Sequence, residues 1–196
     1  MIPIVLASTS RYRRQLLQRL RLPFDVVAPA VDETALPGEA PEATAVRLAT
    51  RKAIDGARQR PGGIVIGSDQ VADLEGRAIG KPGDFANAVA QLEAMSARQV
   101  VFHTALAVLD SRSGALHVDN VPTFVTYRHL DRAAIETYLR LDEPFDCAGS
   151  ARIESLGVCL AESVRSDDPT ALVGLPLIRL VGLLQACGFD VLAQRP

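Results

Sequence analysis

The sequence predicts an α/β fold with a mixed sheet and flanking helices, and three observations carry that expectation. Apolar, strand-like runs are interspersed with segments of helical periodicity. Two long β runs, "QVVFHTALAVLD" (99–110) and "ALHVDNVPTFVTYRHL" (115–130), stand almost back to back. The four residues between them, Ser111-Arg112-Ser113-Gly114, are turn formers, so the pair reads as a hairpin. Strands among helices give the class, and the mid-chain hairpin makes the sheet mixed. At 196 residues, with no linker, repeat or low-complexity tract, the chain is expected to form a single domain. Two lobes parting near the 99–130 hairpin would leave a cleft between them.

The elements follow in order. Residues 2–7 are an apolar strand. Ser8 or Ser10 is a natural N-cap for a helix over 10–20 that carries Leu16, Leu17 and Leu20 on one face. Arg11, Arg13 and Arg14 occupy its first turn, where the macrodipole favours acids instead. A short strand over 24–28 precedes a helix over 41–60, with Pro41 at its N1 position. "GIVIGSDQVAD" (63–73) is almost continuously apolar up to Ser68 and Asp69 and reads as a buried strand. Asp84 and Asp131 suit the N-caps of helices over 84–96 and 131–141. Further strands are expected over 146–150 and 157–162, and a last helix over 172–187.

Bulk properties narrow the function. The chain is 48% apolar and carries a formal charge of −2, against the basic balance of a general nucleic-acid or membrane-surface binder. Any affinity for anions must come from a local cluster. Cys147, Cys159 and Cys187 are far apart without a C-x-x-C pair, and read as reduced, buried thiols. The N-terminal apolar run is too short for a signal peptide. The apolar stretch at 171–187 is broken by Gly174, Pro176, Arg179 and Gly182, so it is not a membrane span. A soluble, cytoplasmic protein is expected.

Phosphate-loop, dinucleotide, zinc-protease and nucleophile-elbow motifs are all missing from the sequence. His103, His117 and His129 lack ligand spacing and read as packed or surface residues. The informative residues are polar ones in apolar surroundings. Asp69 falls at the carboxyl end of a buried strand, where open α/β sheets bind ligands. A buried Asp is costly unless it is paired or holds a metal; a strand-end turn is the alternative. Asp32-Glu33 lies in a Pro-flanked loop, Lys52 in the helix that begins at Pro41, and Lys81 between Gly80 and Pro82. Cations at a helix N-terminus, with lysines from elsewhere, make a polyanion site. Carboxylates beside such a site call for a divalent cation, which takes one or two carboxylates plus phosphate oxygens. The combination points to metal-assisted hydrolysis of a phosphoanhydride.

The ordered set "LASTSRYRRQLL", "VDET", "RLATRKA", "VIGSDQV", "IGKP", "CAGSARIES" and "DPTALVGLPL" resembles the Maf-like nucleoside triphosphate pyrophosphatases from end to end. The resemblance implies a Maf/ITPase-like fold with a deep substrate cleft. It also implies a divalent metal, Mg²⁺ or Mn²⁺, and cleavage of a nucleotide to a monophosphate and pyrophosphate. By the same resemblance Asp69 is the proton acceptor, and Ser8, Arg13, Arg14, Glu33, Lys52 and Lys81 fall on phosphate- and metal-handling positions. Glu33 and Asp69 would be the metal carboxylates, with the base role open between them. Tyr12, Gln70 and Glu154 match positions linked to substrate choice in the family's 7-methyl-GTP branch.

The chemistry agrees, because N7-methylation makes guanine cationic. An aromatic face such as Tyr12 then gains a cation–π attraction, and Glu154 can accept from the N1 and N2 edge of the base. The sequence departs from the family at Arg11, where Pro is usual, and at Tyr12, where this branch commonly has Trp. It departs again at Ser155-Leu156, which replace a glycine-containing stretch. Arg11 is left without a role, facing solvent. The expected partner is a small-molecule nucleotide, with neither nucleic acid nor membrane; a homodimer is left open. Two rivals remain: a dTTP, UTP or non-canonical purine pyrophosphatase, and a non-enzymatic nucleotide sensor that regulates cell division.

Overall fold

The computed structural model describes residues 2–193. Seven strands and five α-helices follow in chain order: β1 (Ile4–Ala7), α1 (Arg11–Gln18), β2 (Asp25–Val27), α2 (Pro41–Gln59), β3 (Ile64–Leu74), β4 (Arg77–Ile79), α3 (Phe85–Met95), β5 (Gln99–Asp110), β6 (Ala115–Tyr127), α4 (Arg132–Asp142), β7 (Ala161–Arg165) and α5 (Leu177–Ala186). The strands form one mixed sheet in the order β2-β1-β3-β5-β6-β7, with β4 paired to β3. β1 runs parallel to β2 and β3, and the remaining pairs are antiparallel. The β5–β6 hairpin closes through Gly114, whose φ of 78° requires the left-handed region that glycine enters freely. Asp110 staples the turn by accepting from the Arg112 N–H at 3.0 Å.

The register of β3 creates the cleft. β5 covers one edge of β3 from Ile64 to Asp73. On the other edge β1 pairs only up to Gly67, and β4 begins only at Ala72. Ser68–Val71 therefore have β5 on one side and, among the described residues, no strand on the other. Side chains alternate across the sheet, so Asp69 faces α2 while Ser68 and Gln70 face the opposite layer.

Two apolar clusters share this sheet. One joins Ile64, Ile66, Leu106 and Val108 to α1 and α5 through Leu16, Leu17, Leu180 and Leu184. The other joins Ala72, Leu74, Val100 and Phe102 to α3 and α4 through Leu92, Met95, Ile135 and Leu139. The lobes thus divide crosswise, through the middle of β3 and β5, two strands that belong to both. Ser10, Asp84 and Asp131 cap α1, α3 and α4, and Pro41 opens α2, as the sequence suggests.

Several expectations need correction. Asp69 is not at the end of its strand; β3 runs on to Leu74, although parallel pairing does stop just before it. Residues 146–150 form no strand, because Gly149 and Ser150 have φ of 66° and 52° and the chain makes a 3₁₀ turn. The expected strand over 157–162 starts at Ala161, since Leu156–Leu160 is a second 3₁₀ turn. The last helix starts at Leu177 rather than 172, because Gly174 at φ 117° breaks the path. The cysteines are not core residues: Cys159 is exposed, and Cys147 and Cys187 are half-buried.

Close approach of α2 depends on small residues. A Cβ on Gly67 would lie 2.3 Å from the Ala49 carbonyl oxygen and 2.6 Å from the Ala53 nitrogen. Gly67→Ala must push α2 off the sheet, and is expected to lower stability by about 3 kcal/mol, the upper range for overpacking. Equilibrium urea unfolding of the variant beside the wild-type chain measures it.

Candidate active site

A cavity of about 780 Å³ opens where the sheet edge is bare. Ser8, Tyr12 and Arg13 line it from the β1–α1 side, and Glu33 from the acidic loop. Lys52 reaches it from α2, Asp69 and Gln70 from β3, and Lys81 and Glu154 from the second lobe. Of the residues singled out in the sequence, Arg14 alone does not line the cavity; it is exposed. One helical turn places it over the exposed Gln18, whereas Arg13 shares the side of Leu16 and Leu17.

The centre of the site is a shared ammonium. Lys52 Nζ donates to Asp69 Oδ1 and to Glu33 Oε1, each at 2.6 Å. Lys52 and Asp69 are buried, at 5% and 7% exposure, while Glu33 is over half exposed at its side chain. Burial pushes the Glu33 carboxyl up, but the Lys52 hydrogen bond, with the charges of Lys52, Lys81 and Arg13, brings it net below the usual glutamate range. The two carboxylates thus lie beside one another with the cation between them.

The loop that carries Glu33 is held to α2 by a second ion pair. Arg47 Nε and Nη2 donate to the two carboxylate oxygens of Glu39 at 2.6 Å each, and Nη2 also donates to the Thr34 carbonyl at 3.1 Å. Glu39 additionally accepts from the Leu36 N–H and the Thr44 hydroxyl. No sequence motif announces this clamp; the spacing of Glu39 and Arg47 across a helix start was its only trace.

The wall that carries Arg13 and Ser8 is pre-set in the same way. Arg13 Nε donates to the Gly174 carbonyl at 2.8 Å, and its Nη1 lies 3.5 Å from Ser8 Oγ. Burial lowers the Arg13 pKa while Asp69 and Glu33 raise it, the balance lying below the ordinary arginine value. The Ser68 hydroxyl donates to the same Gly174 carbonyl at 3.0 Å. Gln70 Nε2 donates to the carbonyls of Ala171 and Leu172 at 3.1 and 3.0 Å, and to Thr104 Oγ1 at 2.9 Å. The amide nitrogen of Gln70 is therefore occupied in anchoring the 171–174 segment.

At the far end, Tyr12 is already flanked by cations. The Arg11 guanidinium lies 4.8 Å from the ring centroid and that of Arg152 lies 6.0 Å from it. Arg11 Nη2 donates to the Tyr12 hydroxyl at 2.6 Å and pairs with Asp146 at 3.8 Å. Arg11 is exposed, as expected, and also borders the cavity through these contacts. Burial raises the Glu154 carboxyl above its ordinary range, while Arg152 and Arg11 oppose the shift. His103 packs instead between Asp73 (3.3 Å) and Asn120 (3.2 Å), away from the cavity.

A family model described as Maf-like protein matches residues 3–187. The chain belongs to that family. A 7-methyl-GTP pyrophosphatase of Burkholderia pseudomallei (strain 1710b) is 56% identical over 96% of this chain and 89% of its own length. A 7-methyl-GTP pyrophosphatase of Bordetella avium is 56% identical over 96% of this chain and 95% of its own. One of Paraburkholderia xenovorans is 56% identical over 98% and 95%. Among solved structures, the Ham1 protein of Staphylococcus aureus is similar at a TM-score of 0.47 and 17% identity, covering 64% of this chain and 71% of that one.

The donor set of this Maf-like chain fits a divalent cation of the Mg²⁺ type. Glu33 and Asp69 face the cavity together, and among the described residues no His, Cys, Asp and Glu group of three offers a closed cage. Two carboxylates open to a cavity suit an ion that keeps water and phosphate oxygens in its shell.

The Arg47 hydrogen bond holds the Glu39 carboxyl down to about 2. A depressed carboxylate contributes stability above its unfolded value of about 4.3, and that stability is lost as pH falls toward the folded value. Glu39→Gln is therefore expected to flatten the dependence of thermal stability on pH between about 4.3 and 2. Melting curves across that window check it.

Proposed function

We propose that this Maf-like chain hydrolyses 7-methyl-GTP to 7-methyl-GMP and pyrophosphate with the aid of Mg²⁺ or Mn²⁺. The observation that carries the reaction class is the Glu33–Lys52–Asp69 cluster, set on one wall of a cavity whose other wall holds Ser8, Arg13 and Lys81. The names of the relatives at 56% identity support the substrate.

Water attacks the α-phosphorus of the bound nucleotide. A new P–O bond forms, the bond from that phosphorus to the bridging oxygen breaks, and pyrophosphate leaves with the electron pair. Asp69 takes the proton from the attacking water, a task that suits a carboxylate fixed at one oxygen by Lys52. Arg13, Lys52 and Lys81 oppose the charge that gathers on the phosphate oxygens. Glu33 and Asp69 would hold a divalent cation, which would supply further neutralisation of the triphosphate. Gln70 acts indirectly, by anchoring the 171–174 segment that holds Arg13, and Tyr12 and Glu154 meet the base. Arg14, exposed outside the lining, is assigned no direct contact.

Such an enzyme removes a modified nucleotide from the pool, and the proposed setting is the cytoplasm, where that pool lies. Among the described residues no helix is long and apolar enough to cross a membrane.

A panel of nucleotides assayed for pyrophosphate release with Mg²⁺ tests the reading. 7-Methyl-GTP is expected to be turned over faster than GTP, dTTP, UTP and non-canonical purines. Asp69→Asn is expected to slow the reaction about 10³-fold, within the range for loss of a general base. Equal rates for GTP and UTP would sink the base assignment. Release that survives Asp69→Asn would sink the catalytic one, and a wild-type chain inert to every nucleotide would favour the sensor.

A further inference from the structure

Glu154 sits in a turn held from both sides by α4. The backbone N–H of Arg152 donates to the Tyr138 hydroxyl at 3.0 Å, and Arg152 Nη1 donates to Asp142 Oδ1 at 3.4 Å. On the other flank Ser155 Oγ donates to the same Asp142 oxygen at 2.6 Å. The turn itself is tight: Ser155 N and Gly157 N both donate to the Arg152 carbonyl at 3.1 Å, and a Cβ on Gly157 would lie 2.4 Å from that oxygen. A single buried carboxylate thus grips the residues on either side of Glu154.

Asp142 also sets the charge of this wall. Its side chain is 6% exposed and that of Arg152 is 18% exposed. Asp142 Oδ2 and Arg152 Nε are buried without a hydrogen-bond partner among the described residues, so attraction of charge holds much of the pair. The guanidinium of Arg152 lies against the Tyr12 ring, and its charge acts on Glu154. At the ring Asp146 accepts from the Tyr12 hydroxyl and pairs with Arg11, while Asp142 pairs with Arg152, so each guanidinium has a carboxylate partner. Removing the charge of Asp142 leaves the Arg152 guanidinium poorly neutralised beside the ring.

We infer that Asp142 is a positioning residue for base selectivity: it fixes the Glu154 turn and neutralises Arg152, so that the wall favours a cationic purine over a neutral one. The inference rests on the base reading proposed above. The position was not legible in the sequence, where Asp142 stands at the end of an amphipathic helix like any surface acid.

Asp142→Asn keeps an oxygen for Ser155 Oγ and removes the charge. It is expected to raise KM for 7-methyl-GTP about tenfold, the scale of a hydrogen bond to a charged group. With kcat within twofold and GTP kinetics little changed, the ratio of kcat/KM between the two substrates falls. Ser155→Ala keeps the charge and is expected to lower that ratio about threefold, the lower end of the scale for a lost hydrogen bond, because one tether of the turn goes while the partner of Arg152 stays. A wild-type preference that survives in folded Asp142→Asn, or a parallel fall for both nucleotides, overturns the inference alone. Should Asp142→Asn not fold, an unchanged ratio in Ser155→Ala overturns it. A wild-type chain with no preference for 7-methyl-GTP overturns the base reading, and this inference with it.

Discussion

The site depends on one ammonium shared between two carboxylates. Lys52 Nζ stands 2.6 Å from both Glu33 and Asp69 and bridges the two acids. Losing one partner of a buried pair typically costs about 3–5 kcal/mol, because the other charge is stranded away from water. The arrangement therefore constrains everything that brings Lys52 there. α2 must lie against β3 closely enough for a lysine stem to end at the strand. Gly67 and the alanines Ala45, Ala49 and Ala53 permit that approach, so backbone packing and catalytic geometry are one constraint. The Glu39–Arg47 clamp then fixes the third member, since Glu33 comes from a loop and has only its neighbours to hold it.

The same strand serves both walls of the cavity. Alternation along β3 sends Asp69 toward α2 and Ser68 and Gln70 toward the 171–174 segment. Asp69 meets Lys52, while its two neighbours anchor the backbone that holds Arg13. A one-residue slip in β3 would exchange these roles and destroy the site, which long pairing with β5 prevents. The cleft needs no separate device: it is the stretch of β3 that β1 has left and β4 has not yet reached.

The strongly periodic elements were legible in the sequence. The hairpin, the Asp caps and the Pro41 helix start each rest on local chemistry that tertiary contacts did not override. The residues that gather at the cavity were legible because charged groups interrupted apolar runs. What the sequence hid were features made by distant partners. The 146–160 region reads as strand by composition, yet left-handed Gly149 and Ser150, with the Arg152 turn, fold it into 3₁₀ segments. Lys52 looks like an ordinary helix lysine until the strand beside it is known. Cys147 looks like a core residue, but it lines a cavity that exists only once the second lobe has folded over the first.

The three arginines at the start of α1 show how a local conflict is resolved by distant contacts. Each cation in the first turn of a helix costs about 0.3–1 kcal/mol against the macrodipole when exposed, less as salt screens it. Arg13 offsets its share by donating to the Gly174 carbonyl, which also holds the guanidinium in place before any phosphate arrives. An anion entering the cavity meets a cation that needs no reordering, so little of the attraction is spent on organising the wall. Arg11 is drawn instead to the Tyr12 ring and to Asp146, contacts that convert a misplaced charge into part of the base end. Arg14, exposed, is left with the screened penalty alone. The conflict is therefore confined to one residue, and the other two let α1 hold a fixed cation at one end of the cavity and frame the Tyr12 ring at the other.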